Sequence, residues 1–392
     1  MDTKDLFDTL AAEEQPPTTV DVRRAVAAGR ATRRRRRTAL AAGGLAVCLA
    51  GTFTWYGLEG QVRGDRTATV VHETADRGTL PASGVGPLSY AYYDWCGEKW
   101  SPGKGGSFAG RDCVQWKVVT RDGRTYRVPE AAGVYLDQTT ANYMNTAAPL
   151  MITPDGRRIA YYSPKDERFA VRELASGQIW LSPQTVSHQE MVKNAPFVTL
   201  SPEGRYLVLN GRLRAVVDME TGRVTDVPQG WQAMTVARGG DRVIVENDRL
   251  RYGLLEDGRV RPFTGSLEES LSPLAPDGRT VAYLDSPGAA RDATVQSRPV
   301  DTIVTLDATT GEVLRRVKFR DAPAGFSPWR IGSWRGPTEV MVSQVVESRW
   351  KPGETPRLGE TAYAVDVTTG KVRKLGTYAI RGWSGDVVIP GM

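Results

Sequence analysis

"PEGRYLVLN" at residues 202–210 and "VVDMETGRV" at 216–224 decide the fold of this chain. The first is a tight turn feeding a strand of alternating polarity. The second is a strand, a polar turn whose glycine accepts positive φ, and a return strand. Both recur. PDGRRIAYY (154–162), GGDRVIVEN (239–247) and PDGRTVAYL (276–284) repeat the first element, with a weaker GPTEVMVSQ at 336–344. VRELASGQI (171–179), YGLLEDGRV (252–260), TLDATTGEV (305–313) and AVDVTTGKV (364–372) repeat the second, and VVTRDGRTY (118–126) is a copy one residue shorter.

Glycines of the first element fall 48, 36, 38 and 58 residues apart, which brackets one four-stranded propeller blade. Such a blade cannot bury both of its faces alone, and radial stacking solves that. The chain therefore reads as all-β, a six- or seven-bladed β-propeller over residues 88–392. Six turns of the DG, SG and TG type require at least six blades. The strands YAIRGW and DVVIP near the C-terminus favour a seventh, completed by N-terminal strands such as TATVVHE or SYAYYDW, which would close the ring and remove an exposed edge. Long hairpin inserts near 285–301 and 345–360 are the expected source of a distinctive binding face.

The turns "SPEGRYLVL" and "APDGRTVAYL", paired downstream with "LDATTGEV" and "VDVTTGKV", resemble the repeats of TolB-like and WD40-like (PD40-type) bacterial β-propellers. The whole layout, including "SYAYYDWCGEKW" and "DCVQWKVVTRDGRTYRVPEA", resembles membrane-anchored WD40-like proteins of actinobacteria. It departs from true WD40 repeats in having no Trp-Asp at the blade strand and no Gly-His opening it. The resemblance implies a binding, scaffold or sensor module at the cell envelope.

Ahead of the repeats, residues 38–58 (TALAAGGLAVCLAGTFTWYGL) carry no charge, and 21 residues of helix span roughly 30 Å. Arg33, Arg34, Arg35, Arg36 and Arg37 precede them, so the positive-inside rule places the N-terminus in the cytoplasm and the propeller outside. The expected organisation is a cytoplasmic basic tail (1–37), a transmembrane helix (38–58), an extracytoplasmic spacer (59–87) and the propeller. Within the tail, Leu6, Phe7 and Leu10 recur at helical spacing before Pro16 and Pro17, and form a candidate face for a cytoplasmic partner such as a sigma factor. That alternative makes the chain a transmembrane regulator resembling an anti-sigma factor.

A net charge of +6 does not indicate nucleic acid, because its only dense cluster is the pentarginine beside the span. Cys96 and Cys113, the two cysteines outside the span, flank a Gly-rich loop and are expected to form a disulfide in an oxidising compartment. His72, in the spacer, and His188, in a polar loop, are the only histidines, which argues against His-based catalysis or a His-rich metal site. GWSGD (382–386) is not a nucleophile elbow, and GKGGS (103–107) lacks the GK[ST] ending of a phosphate loop. Asp218, Asp307 and Asp366 stand one per blade at strand ends, where turn chemistry accounts for them without calcium. The tryptophans, Trp95, Trp100 and Trp116 at one end and Trp329, Trp334, Trp350 and Trp383 at the other, fit either packing between blades or an aromatic rim. The chain thus reads as a binding protein and not an enzyme, with no catalytic, cofactor or metal residues expected. Its partners are the membrane and an envelope protein or ligand.

Overall fold

The computed structural model describes residues 69–71, 76–95, 114–135, 146–194, 198–249, 251–264, 270–285, 300–347, 357–381 and 387–392, all within the compact unit Gln61–Met392. The sequence-derived tail, span, Leu6, Phe7, Leu10, Arg33 to Arg37, Cys96 and Cys113 lie outside the described residues. Among the described residues no helix is long and apolar enough to cross a membrane.

Six antiparallel sheets follow one another along the chain and make a six-bladed propeller. Blade 2 shows the plan, with strands Leu150–Ile152, Arg158–Ser163, Arg168–Glu173 and Ile179–Leu181 running from the innermost to the outermost. Blade 3 comprises Val198–Leu200, Tyr206–Leu209, Ala215–Asp218 and Val224–Asp226. Blade 4 comprises Trp231–Val236, Arg242–Asn247, Tyr252–Glu256 and Arg259–Pro262. Blade 5 has Thr280–Asp285, Thr302–Asp307 and Val313–Lys318, its innermost strand reduced to a bridge between Leu271 and Tyr283.

Blades 6 and 1 carry the ends of the chain. Blade 6 (Arg330–Trp334, Glu339–Glu347, Arg357–Asp366, Val372–Arg381) receives Thr69–Val71 as a fifth, parallel strand on its outer edge. Blade 1 (Leu88–Trp95, Val114–Thr120, Thr125–Arg127) receives Asp76–Thr79 on its outer edge, again parallel, and Val387–Val388 as its innermost strand. The seam therefore has an N-terminal strand on each outer edge, Thr69–Val71 on blade 6 and Asp76–Thr79 on blade 1, and the C-terminal strand inside. This corrects the seventh blade suggested by the sequence. The DVVIP strand pairs with SYAYYDW and the TATVVHE strand with YAIRGW, as strands added to two existing blades. The first described strand, Thr69–Val71, lies within the stretch read as spacer.

Alternation along each second strand explains why the blades stack. Ile159 and Tyr161 of blade 2 enter the core shared with blade 1, whereas Ala160 and Tyr162 enter the core shared with blade 3. Val208 and Val243 meet between blades 3 and 4, Ile244 and Val281 between 4 and 5, and Ala282 and Val340 between 5 and 6. A period-two strand that is apolar at every position has two cores to fill. At the closing seam the smaller clusters contain Tyr90, Met341, Ile389 and Met392, with Tyr378 packed edge-on to Tyr90 at 5.6 Å.

Two tryptophans pin neighbouring blades together. Trp116 donates its indole N–H to the carbonyl of Ala148 at 3.1 Å, and Trp334 to that of Pro273 at 2.8 Å. Both are buried, so at these positions the packing role holds. Arg172, 4% exposed, bonds Glu130 and the carbonyl of Pro81 and so ties blade 2 to the strap of residues 80–87. The C-terminal strand should matter as much as any core element. Ile389→Ala is expected to cost about 3 kcal/mol, as for other buried large-to-small changes, measured as a lowered urea midpoint with the slope unchanged.

Candidate functional site

Antiparallel pairing sorts the connections onto two faces. Turns between first and second strands, and between third and fourth, leave one face, and between named strands none exceeds five residues. Connections between second and third strands, and from blade to blade, leave the other. Strand ends flanking 96–113, 286–299 and 348–356 all lie on this second face, as does the helix His188–Asn194. His188 opens that helix and is exposed, which corrects its placement in a loop.

On the tight-turn face the two sequence elements bond to each other. An arginine entering the second strand reaches the carboxylate ending the third. Arg158 donates to Glu173 at 3.2 Å, Arg242 to Glu256 at 2.8 Å, and Arg279 Nε to Asp307 at 2.7 Å. Arg205 donates to Asp218 through Nε and one terminal nitrogen, at 3.0 and 2.6 Å, and in blade 6 Thr338 replaces the arginine opposite Asp366. Links also pass between blades, from Arg158 to Glu220 at 3.1 Å and from Arg242 to the carbonyl of Gly278 at 2.9 Å. The turn glycines admit the neighbouring chain. Gly370 has φ +76°, and a Cβ there would collide with the carbonyl of Lys318 at the end of blade 5.

These contacts engage the turn aspartates within their own blades. The Arg205 and Arg279 guanidiniums hold the Asp218 and Asp307 carboxyls down at about 2. Burial works against ionisation of Asp366, but hydrogen bonds from Thr368 and Thr369 outweigh it and leave that carboxyl at about 2. Their oxygens are engaged in turns, and among the described residues no group of three His, Cys, Asp or Glu could hold a metal ion.

Glu203 breaks the pattern. The equivalent Asp155 accepts from Thr153 Oγ1 at 2.6 Å and from the Arg157 amide at 3.0 Å, whereas the longer Glu203 overshoots and leaves both carboxylate oxygens buried without a hydrogen-bond partner. Burial pushes its carboxyl above the ordinary range, offset only in part by nearby Ser201, Arg238 and Arg158.

The sequence reading passed over a feature of the opposite face. Blades 3 and 4 carry one sequence pattern between their second and third strands, Asn-Gly-Arg-Leu-Arg (210–214) and Asn-Asp-Arg-Leu-Arg (247–251), the second opening on the last residue of its strand and containing Leu250, which lies outside the described residues. Asn247 Oδ1 accepts the amides of Arg249 and Arg251, both at 3.0 Å, and fixes its turn. Arg214 adopts φ +39°. Arg212, Arg249 and Arg251 are exposed. The available signal was the 37-residue recurrence of Asn-x-Arg-Leu-Arg.

The cysteines lie outside the described residues, but the strands leading to them do not. Trp95 and Val114, the residues next to Cys96 and Cys113, are direct cross-strand partners. The side chains of Trp95, Trp100, Trp350 and Trp383 lie outside the described set, and Trp329 is half-buried.

No protein-family model matches this chain, and no curated protein matches it in sequence. In structure it is similar to TolB from Acinetobacter baumannii, at 17% identity and a TM-score of 0.40, over 79% of this chain and 67% of that one. It is also similar to hydrazine synthase of Kuenenia stuttgartiensis (14% identity, TM-score 0.35, 61% of this chain and 68% of that one). The tricorn protease aligns at 12% identity and a TM-score of 0.36, over 75% of this chain and 31% of that one. Likeness at this level carries no function across, and the propeller assignment rests on the strand pairing itself.

Two substitutions of opposite sign test the electrostatics. The folded-state pKa of Asp307 lies below its ordinary 3.8, so its contribution is fully present above about pH 4 and is lost as pH falls toward 2. Asp307→Asn should lower the melting midpoint by about 2 °C at pH 7, with the difference closing by pH 2. The pKa of Glu203 is raised, so its ionisation costs stability, a cost absent at pH 3 that grows as pH rises through the folded-state value. Glu203→Gln should therefore raise the midpoint by about 2 °C at pH 7 and leave it unchanged at pH 3, both read by calorimetry.

Proposed function

We propose that this chain is a single-span membrane protein whose propeller lies on the extracytoplasmic side and acts by binding, as a scaffold or sensor at the cell envelope. The observation that carries the reading is the contrast between the two faces. On one face the charged turn residues are largely spent on one another, and the other gathers the long connections and presents arginines. A fold that invests one face in its own stability and leaves the other to variable connections suits recognition. The uncharged stretch 38–58 behind Arg33 to Arg37 supports the membrane setting. Alkaline phosphatase fused after Asp65 should be active in the native host. An inactive fusion would place the propeller in the cytoplasm and overturn the reading.

Cys96 and Cys113 are proposed as a disulfide closing the hairpin of blade 1; the support is that they adjoin the direct cross-strand pair Trp95–Val114 in sequence, and directly opposed residues of a hairpin stand at a separation a disulfide spans. Cys96→Ser should then cost about 3 kcal/mol under oxidising conditions and nothing under reducing ones. Equal stability of the two proteins in oxidant would show that no bond forms.

A second reading makes the chain a regulator resembling an anti-sigma factor, with Leu6, Phe7 and Leu10 docking a cytoplasmic transcription factor. The amphipathic spacing of those residues supports it. A sigma factor captured with the full chain and lost on deleting residues 2–30 is its expected result, and an unchanged set of partners would remove it.

A further inference from the structure

We infer that the paired Asn-x-Arg-Leu-Arg loops of blades 3 and 4 form a docking ridge for an extended acidic segment of a partner protein. The inference deepens the reading of this face as the binding face by naming where and what it binds. Four arginines come from two loops of one sequence pattern at equivalent places on neighbouring blades, Arg212 and Arg214 on one, Arg249 and Arg251 on the other. On the tight-turn face, arginines at comparable density are consumed by Glu173, Asp218, Glu256 and Asp307. Among the described residues, Arg214, Arg249 and Arg251 have no ion-pair partner, and Arg212 has only Glu190 at 3.7 Å. Side-chain entropy and self-repulsion make an unpaired arginine cluster costly to keep, and guanidinium forks match carboxylates bidentately.

The choice of a polypeptide follows from two features. First, the arginines stand on two separate loops at equivalent places on neighbouring blades, and an extended chain can carry a carboxylate to each loop in turn. Second, acidic residues interrupt the ridge, with Asp248 inside one loop and Glu190 beside the other. A bilayer or a uniform polyphosphate would meet those carboxylates with like charge, whereas a segment of alternating acidic and neutral residues can avoid them. The Asn247 clamp on its loop lowers the entropy lost on binding.

The test uses the full chain in detergent and a fluorescein-labelled peptide of six Glu-Ser repeats, with a Gln-Ser peptide as control. Inorganic polyphosphate and phosphatidylglycerol vesicles are the competing ligands. Binding of the Glu-Ser peptide should weaken about tenfold in R212Q/R249Q, which changes only exposed loop tips, and further in the variant that also carries R214Q and R251Q. Arg223→Gln on the opposite face should change nothing. The Gln-Ser peptide should not bind. Unchanged affinity in the tip variant, with its melting midpoint intact, overturns the proposal, as does tighter binding of polyphosphate or vesicles than of the peptide. Because these outcomes concern one ridge, an active phosphatase fusion alongside a negative peptide result would leave the binding-face reading standing and remove only its acidic ligand.

Discussion

Every blade of this molecule is apolar on both sides, and that condition governs the rest of the structure. Tyr161 and Tyr162 are successive residues buried in different cores, and the same alternation recurs at Leu207 and Val208 and at Ala282 and Tyr283. No blade can stop the series without exposing a core, so the first and last must meet. The seam where they meet has smaller clusters than the continuous interfaces. The chain compensates by placing an N-terminal strand on each outer edge and its C-terminal strand inside, so that opening the ring requires breaking main-chain ladders as well as separating side chains.

A second economy operates on the tight-turn face. Buried or half-buried carboxylates would be unfavourable without partners, and Asp218, Asp307 and Asp366 are matched by a cation or by turn amides from their own blades, Glu203 being the exception. The arrangement is local in three dimensions but spans 13 to 28 residues along the chain. It therefore serves as a check on register: a slipped second strand would take its arginine away from the carboxylate as well as turning its apolar residues outward.

Much of this was legible in the sequence because the two repeated elements are the two ends of that Arg–carboxylate contact. The Asp-Gly-Arg turn and the Asp-x-x-Thr-Gly turn are conspicuous for the same reason that they are adjacent. Blade number was less legible, since parallel additions such as Thr69–Val71 on Val372–Arg381 join residues some three hundred positions apart and leave no local signature. The Arg-Leu-Arg loops went unread because they lie between the repeated elements, where polarity alone looks like any surface turn. Glu203 illustrates the limit of pattern matching. In the repeat it counts as an aspartate equivalent, yet one extra methylene removes it from the hydrogen bonds that define the turn.

The parallel placement of Thr69–Val71 has a mechanical consequence. The strand enters from the tight-turn side and runs alongside Val372–Arg381, with Thr69 opposite Thr377 and Val71 opposite Ala379. Tension applied at Thr69 along the strand axis is shared by the hydrogen bonds of this ladder in shear. A strand leaving at right angles would surrender them one at a time, as a zip does. The joint that completes the ring is thus strongest against a pull along its own axis.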